Sequence, residues 1–272
     1  MDGILTYGFF QNALIGSLLA SILCGLVGTY IVSKRLVFIS GGITHASFGG
    51  IGLGVYWGIS PILSAIVFSI LSACGIQWFS HRKNMREDSA IAIFWTLGMS
   101  IGIICCFLTP GFTPQLSSFL FGNILAITSD ELMILGILCT IAIVLFTLFL
   151  RPLIYTAFDV EFARSQGLPT RWIEYFMMTF IALTIVSCLR LVGVMLVISL
   201  LTIPQVTANI FTRNFKWIAI WSVPIGCAGC IGGLTLSYFY NIPSGAAIIF
   251  TSIGLYLLGK MISFAFTLYK KQ

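Results

Sequence analysis

The sequence predicts an all-α membrane protein, a polytopic bundle of transmembrane helices. Hydrophobic residues make up 58% of its 272 residues and charged residues only 8%, a balance that water-soluble domains do not show. The apolar runs approach the roughly 20 residues that a helix needs to cross a bilayer. Because lipid cannot hydrogen-bond to the backbone, such runs form helices, which satisfy their own polar groups. We expect one transmembrane domain over residues 1–272.

Charged residues and breaks rich in proline and glycine divide the chain into candidate spans. Two of these spans meet at Arg190, where they are either separate spans or halves of one broken helix, so the count is eight or nine. The segment 111–130 is apolar but interrupted by Pro114 and two glycines, which predicts an interfacial or re-entrant helix. The approximate span limits are 9–32, 36–58, 60–80, 89–108, 131–150, 172–188, 191–211, 217–240 and 245–268.

The basic residues predict the orientation of the chain. With nine spans, alternate loops and the C-terminal tail collect all 14 basic residues except Arg190 and Lys260. The positive-inside rule makes that side cytoplasmic and leaves the N-terminus outside. The net charge of +6 therefore indicates topology and not nucleic-acid binding. The residues are Lys34, Arg35, Arg82, Lys83, Arg86, Arg151, Arg164, Arg171, Arg213, Lys216, Lys270 and Lys271.

Several classes of function are disfavoured by what the sequence lacks. It contains no Walker A loop, no nucleophile elbow and no HExxH pattern, so an enzyme is not expected. Its eight acidic residues all lie in loops or near span ends, whereas an ion-coupled carrier usually buries a carboxylate. The energy source is therefore predicted to be another subunit. His81, in the basic loop HRKNMRED, is expected to be an ordinary solvated histidine.

The predicted cytoplasmic loop at 151–172 contains FDVEFARSQG. Acidic residues come early and a basic residue late, Phe158 and Phe162 share a face, and Gly167 follows as a C-cap, which predicts a short amphipathic helix near 156–168. The helix is either an ordinary surface element between spans or a segment whose aromatics dock in a groove of a soluble partner.

Five segments, in order along the chain, resemble permeases of ABC importers for divalent transition metals such as zinc, manganese and iron. The resemblance covers nearly the whole chain. Four segments are LVFISGGITHASFGGIGLG, FGNILAITSDEL, VGVMLVISLLTIPQVTAN and NIPSGAAIIFTS. The fifth resembles the segment that couples such permeases to their ATPase, with the pattern F-D-x-E-x-A-x-x-x-G formed by Phe158, Asp159, Glu161, Ala163 and Gly167.

This resemblance implies the partners and the cargo. It implies a homodimeric permease, not an enzyme, surrounded by lipid in a bacterial inner membrane. Two cytoplasmic ATPase subunits and an extracytoplasmic metal-binding protein would complete the importer, with a divalent metal ion as substrate, no permanently bound cofactor and no nucleic-acid partner. Two alternatives stay open: a stand-alone secondary carrier or channel, and an ABC permease for a metal chelate.

Two rows of small residues run along the second span. One row recurs every fourth residue and predicts close helix packing. The other contains the histidine and places its imidazole on a face without other side chains, beside a cavity or a neighbouring backbone. The first row is Gly42, Ala46, Gly50, Gly54 and Gly58, and the second is Gly41, His45, Gly49 and Gly52.

His45 is the predicted metal contact. Many members of the metal-permease family carry an Asp one turn before this His, whereas this chain has Gly41. Without the carboxylate, His45 is expected to be a transient contact on a pathway, and zinc is slightly favoured because it accepts nitrogen ligands.

Four polar residues are further candidates for the pathway. Thr44 and Ser47 flank the histidine, although hydroxyls in helices commonly bond back to their own carbonyls. Gln205 and Asn209 share one helical face, so they either line the same pathway or bond across the dimer.

Overall fold

The protein is an all-α bundle. The structure, a computed structural model, describes residues 8–82, 85–109 and 127–269, and these ranges form eleven helices and no strand. The predicted fold class is therefore confirmed, while residues 111–126 of the predicted interfacial segment lie outside the described residues. The helices are α1 (Gly8–Ser33), α2 (Val37–Trp57), α3 (Pro61–Arg82), α4 (Glu87–Leu108), α5 (Ser129–Leu148), α6 (Leu150–Phe158), α7 (Val160–Ser165), α8 (Thr170–Leu200), α9 (Ile203–Phe211), α10 (Phe215–Tyr240) and α11 (Ser244–Tyr269).

Eight helical segments in the described ranges are long and apolar enough to cross a membrane. They include α1, α3, α4, α5, α10 and α11, and two segments built from α8 and α9, Thr170–Leu189 and Val192–Phe211. Helix α2 is not among them, although its 21 residues make it about 30 Å long. Its many glycines lower its hydropathy, and its buried position between other helices removes the need for an apolar surface. The predicted total of eight or nine spans is confirmed.

Helix α8 is broken near its end. Gly193 has φ 75° and ψ 167°, a backbone conformation that glycine adopts far more readily than other residues. A second interruption follows at Leu201 and Thr202, before α9 begins. The junction predicted at Arg190 is therefore a break in the helix a few residues later. Breaks of this kind are tolerated at membrane depth only where protein surrounds them.

The core lies around α1 and the first part of α8, which are the most buried of the apolar segments. Helix α1 contacts α5, α8 and α10. Large side chains that are fully buried in this core include Leu23, Tyr30, Ile181 and Ile185. The other spans expose many large apolar side chains, as expected for helices whose outer faces meet lipid.

Helices α2 and α4 lie side by side, in the same direction, with their backbones in contact. A Cβ added to Gly49 would lie 2.7 Å from the carbonyl oxygen of Gly98, and one added to Gly52 would lie 2.6 Å from that of Gly102. A Cβ at Gly98 would in turn lie 2.5 Å from Cα of Ala46. Only glycine fits at these positions, and the close approach gains van der Waals contact, which drives helix association in lipid. We call this the α2–α4 contact.

We predict that Gly98→Ala destabilises the protein by roughly 1–3 kcal/mol, because the new methyl group overpacks the backbone of α2. Unfolding of the detergent-solubilised protein by heat or by sodium dodecyl sulfate measures the change. Gly136→Ala in α5 is the matched control, since its Cβ would meet nothing within 4 Å and alanine favours helix. Equal stability of the two variants would contradict the close packing.

Candidate functional site

The first row of small residues on α2 packs against both neighbouring helices. Cβ atoms at Gly42 would collide with α4, and Cβ atoms at Gly50 and Gly54 would collide with α3. Gly58 differs, because it follows the last residue of α2, has φ 69° and would meet nothing within 4 Å. Within this chain the packing row therefore ends at Gly54, and Gly58 ends the helix in the left-handed conformation that favours glycine.

The second row carries His45, whose ring stacks on Trp95 of α4. The ring centroids are 4.5 Å apart and the planes differ by 9°. The imidazole is half-buried, and within the described ranges neither ring nitrogen has a hydrogen-bond partner. Gly41, one turn earlier, leaves room for the same indole, since a Cβ there would lie 3.4 Å from Trp95 Cζ3. The site is an oriented imidazole beside an aromatic surface, and its ring nitrogens are free of hydrogen bonds from the described part of the chain.

Within the described ranges, His45 does not belong to a preformed metal site. Among the residues that the structure describes, no group of three or more His, Cys, Asp or Glu side chains could hold a metal ion. Tightly bound divalent metals take four or more protein ligands or waters. The described residues therefore supply no such set of ligands around His45, and a single imidazole suits a passing ion better than a retained one.

Thr44 and Ser47 use their hydroxyl groups within α2. Thr44 Oγ1 donates to the carbonyl of Ser40, and Ser47 Oγ donates to the carbonyl of Thr44 at 2.6 Å. Both side chains are fully buried. The back-bonding that their position in a helix favours is therefore present, and neither hydroxyl faces an open space.

Gln205 and Asn209 share a face of α9 but have different surroundings. Gln205 is fully buried, and its Nε2 donates to the carbonyls of Cys24 at 2.7 Å and Leu200 at 3.1 Å. The second bond satisfies a carbonyl at the end of α8, where the break removes the helical partner. Asn209 is exposed and lines a cavity of about 680 Å³. In this chain, the two side chains do not line one common surface.

The loop predicted to be one amphipathic helix is two short helices, α6 and α7. They meet at Asp159, which has φ −149° and whose side chain accepts a hydrogen bond of 2.9 Å from the N–H of Phe162. Asp159 is thus the N-cap of α7, a position that favours aspartate. Gly167 follows the end of α7 with φ 76° and an open surrounding. The single continuous helix is corrected to two helices with a break at Asp159.

The α6–α7 segment exposes two aromatic side chains, and the buried side chain of an alanine fixes it to the bundle. Phe158 is 61% exposed and Phe162 is 45% exposed. Ala163, the residue of α7 that follows Phe162, is completely buried. Glu161 forms a surface ion pair with Arg164 at 2.9 Å. The segment therefore exposes two aromatic rings to its surroundings while staying fixed to the bundle.

A buried ion cluster lies at the end of the bundle that carries most basic residues, which we call the basic end. Glu174 of α8 is 2% exposed, and one carboxylate oxygen accepts a hydrogen bond of 2.5 Å from Lys34 Nζ. Its other oxygen lies 2.9 Å from His81 Nε2, and Gln77 Nε2 lies 2.7 Å from the same ring nitrogen. His81 has the predicted exposure to solvent, but its ring also contacts Glu174 of α8 and Gln77 of α3, and the sequence did not predict these contacts.

Lys34 remains charged in this cluster. Burial by itself lowers the pKa of its ammonium group, but Tyr30 and Glu174 raise it, and the resulting pKa lies above the ordinary value for lysine. A buried carboxylate offsets its desolvation only when well-placed partners supply hydrogen bonds. Lys34 supplies that partner from the loop after α1, so the cluster joins α1, α3 and α8.

Sequence reasoning missed two residues, Trp95 and Glu174. Trp95 precedes Gly98 and Gly102 at spacings of three and seven, so all three share the face of α4 that meets α2. That spacing is a usable signal. Glu174 had no comparable signal, because its partners are distant in the chain, 140 residues away for Lys34.

The broken helix, the glycine-rich helix with one half-buried histidine and the exposed α6–α7 segment together define a polytopic membrane permease. The sequence model of the ABC 3 transport family matches residues 6–263. The chain belongs to this family. It is accordingly an integral membrane protein of the bacterial inner membrane and a permease subunit, with ATP hydrolysis carried out by a separate subunit.

Relatives match over nearly the full length of the chain. It is 40% identical over 254 residues to an uncharacterized membrane protein of Synechocystis. The aligned region covers 93% of this chain and 90% of that protein. It is 30% identical over 257 residues to the manganese transport system membrane protein MntC of Halalkalibacterium halodurans. That alignment covers 94% of this chain and 88% of the relative. The solved structure of PsaBC from Streptococcus pneumoniae in complex with Fab superimposes with a TM-score of 0.83 at 29% sequence identity. The superposition covers 95% of this chain and 93% of the matched chain.

We predict that Glu174→Gln destabilises the protein by roughly 3–5 kcal/mol, because Lys34 is left as a buried charge without its carboxylate. Thermal unfolding of the purified protein in detergent measures the loss. Glu161→Gln is the control, since it breaks only a surface pair with Arg164 and is expected to cost about 1 kcal/mol or less. Similar losses in the two variants would show that the buried cluster contributes no more than a surface pair.

Proposed function

We propose that the chain is the permease of an ABC importer that moves a divalent transition-metal ion into the bacterial cytoplasm. The observation that carries the proposal is His45, a half-buried imidazole with both nitrogens unpaired among the described residues, on the glycine-lined face of α2. Ionisable residues inside a membrane are costly and generally mark a pathway for substrate. Membership in the ABC 3 transport family supports ATP-driven transport.

Manganese is the leading candidate for the ion. The sequence favoured zinc slightly, but the Halalkalibacterium relative is named for manganese, so manganese replaces zinc as the first ion to test and iron remains a third. An imidazole binds zinc more tightly than manganese. A manganese importer with one nitrogen ligand would therefore hold its ion weakly and release it readily, which transport requires.

The proposed cycle is alternating access in a complete importer. An extracytoplasmic metal-binding protein delivers the ion to a permease made of two copies of this chain in the lipid bilayer. The ion passes His45, which both copies present on the same face of α2. Two cytoplasmic ATPase subunits then close on ATP and switch the side to which the pathway opens.

The α6–α7 segment is the proposed docking site for the ATPase. Phe158 and Phe162 are exposed at the basic end, which the positive-inside rule assigns to the cytoplasm. The 680 Å³ cavity beside Phe158 is also lined by Arg35 and Arg213, for which the described residues supply no ion-pair partner. An apolar surface beside free cations suits a groove that contains both apolar and acidic side chains.

Contacts at the start of α8 would carry movement of this segment into the bundle. Arg164 Nε donates to Thr170 Oγ1 at 3.3 Å, which ties α7 to the first turn of α8. Glu174, one turn further on, binds Lys34 and His81 from two other helices or their ends. A displacement of α7 is therefore expected to move three helical ends together.

The two alternative functions, a stand-alone carrier or channel and an ABC permease for a metal chelate, have weaker support. A stand-alone carrier or channel has no use for the exposed aromatics of the α6–α7 segment. A metal chelate needs a wide cavity, whereas Trp95 fills the space beside His45 and glycines bring α4 into contact with α2. Ion flux through the permease reconstituted without its ATPase would favour the carrier.

We predict that His45→Ala lowers manganese uptake at limiting metal by about 10- to 100-fold, since disturbing a metal site commonly costs that much affinity. Uptake is measured in cells that express the permease with its ATPase and binding protein, with zinc and iron as competitors. Ser47→Ala is the control, because that hydroxyl bonds within α2 and its loss should leave uptake unchanged. Normal uptake in His45→Ala would remove this residue from the pathway.

We predict that Phe158→Ala combined with Asp159→Arg uncouples the permease from its ATPase, because the double variant removes the exposed ring and the N-cap of α7. Co-purification of the ATPase and transport-dependent ATP hydrolysis should both fall at least several-fold. Phe239→Ala, which truncates another exposed aromatic at the far end of α10, is the control. Unchanged co-purification and hydrolysis in the double variant would contradict docking at this segment.

A further inference from the structure

We infer that Trp95 is the positioning residue for His45, holding the imidazole so that its ring nitrogens point into the pathway. The inference rests on the proposed role of His45. Its basis is the parallel stack of the two rings, with centroids 4.5 Å apart and planes within 9°. Trp95 itself supplies no metal ligand, so its effect on an ion would pass through the imidazole.

The stack is compatible with metal binding because of where a histidine carries its lone pair. A metal ion binds in the plane of the imidazole ring, at the nitrogen edge, whereas the indole covers one face of the ring. Metal-binding histidines are usually oriented by a hydrogen bond from the second ring nitrogen to a carboxylate or carbonyl. The described residues give His45 no such bond, so the stacked indole is the group that restrains its ring.

The indole is held in place by the α2–α4 contact. Trp95 shares a face of α4 with Gly98 and Gly102, which lie against the backbone of α2. On the other side, Gly41 leaves the space that the indole occupies, since a Cβ there would lie 3.4 Å from Cζ3 and 3.7 Å from Cη2. An alanine at position 41 would make an ordinary contact, whereas a longer side chain would displace the ring.

An indole is also electrostatically suited to this place. The face of a tryptophan ring carries partial negative charge and attracts cations. An imidazole that has bound a metal ion is positively polarised, so its stack on this face is favourable. The large ring at the same time excludes a second polar side chain that would bind the ion more tightly and slow its release.

The test is equilibrium binding of Mn²⁺ to the purified permease–ATPase complex without the binding protein, followed by the loss of the electron paramagnetic resonance signal of free Mn²⁺. We expect Trp95→Leu to weaken binding about tenfold, because the ring loses its orientation. Trp95→Phe, which keeps a stacked ring, should restore most of the affinity. Gly41→Leu should reproduce the defect by displacing the indole, whereas Gly41→Ala should bind like the unchanged protein.

A double-mutant cycle separates positioning from general packing. If Trp95 acts through His45, the variant with both Trp95→Leu and His45→Ala binds Mn²⁺ no more weakly than His45→Ala alone. Additive losses, or unchanged binding in Trp95→Leu, would overturn the inference. Unchanged binding in His45→Ala would instead overturn the proposed ion contact itself. If Trp95→Leu fails to assemble, Gly41→Leu takes its place in the cycle, because it displaces the indole without removing it. Trp95→Phe then remains the variant that is expected to keep most of the affinity.

Discussion

The α2–α4 contact fixes the relative positions of the groups on the candidate pathway. Between helices in lipid there is no hydrophobic driving force, so two helices come this close only where their backbones can touch. Gly49 and Gly98 provide that approach, with a virtual Cβ at Gly49 only 2.7 Å from a backbone oxygen. The register set by this contact places His45 opposite Trp95. The geometry of the imidazole is therefore a consequence of glycines one and two turns away.

Different interactions position the residues around His45 and the residues at the basic end. In the bundle, van der Waals contact and ring stacking position a neutral site, and the ion itself would bring the charge. At the basic end, the carboxylate of Glu174 is buried and is paired with the ammonium group of Lys34, and a low dielectric makes each of these two charges depend on the other. The proposed mechanism uses both, because its pathway must bind the ion weakly while its contact with the ATPase must transmit force.

Local patterns in the sequence predicted the spans and the small-residue face of α2, because periodicity within one helix determines which residues share a face. The same reasoning could not predict that His45 meets Trp95 or that Glu174 meets Lys34, since each pair joins helices that are distant in the chain. The break at Asp159 was a different kind of error. An aspartate before a short helix is a capping signal, and helical periodicity across it concealed the end of α6.

The hydrogen bond from Gln205 to the carbonyl of Cys24 links the broken segment to the first helix of the chain. Without α1, the buried amide of Gln205 would face lipid with an unpaired proton, at a cost of several kcal/mol. A virtual Cβ at Gly28 would collide with this amide, so α1 is shaped to receive it. Because α1 leaves the ribosome long before residue 205, the carbonyl of Cys24 is already present when the segment that contains Gln205 enters the membrane.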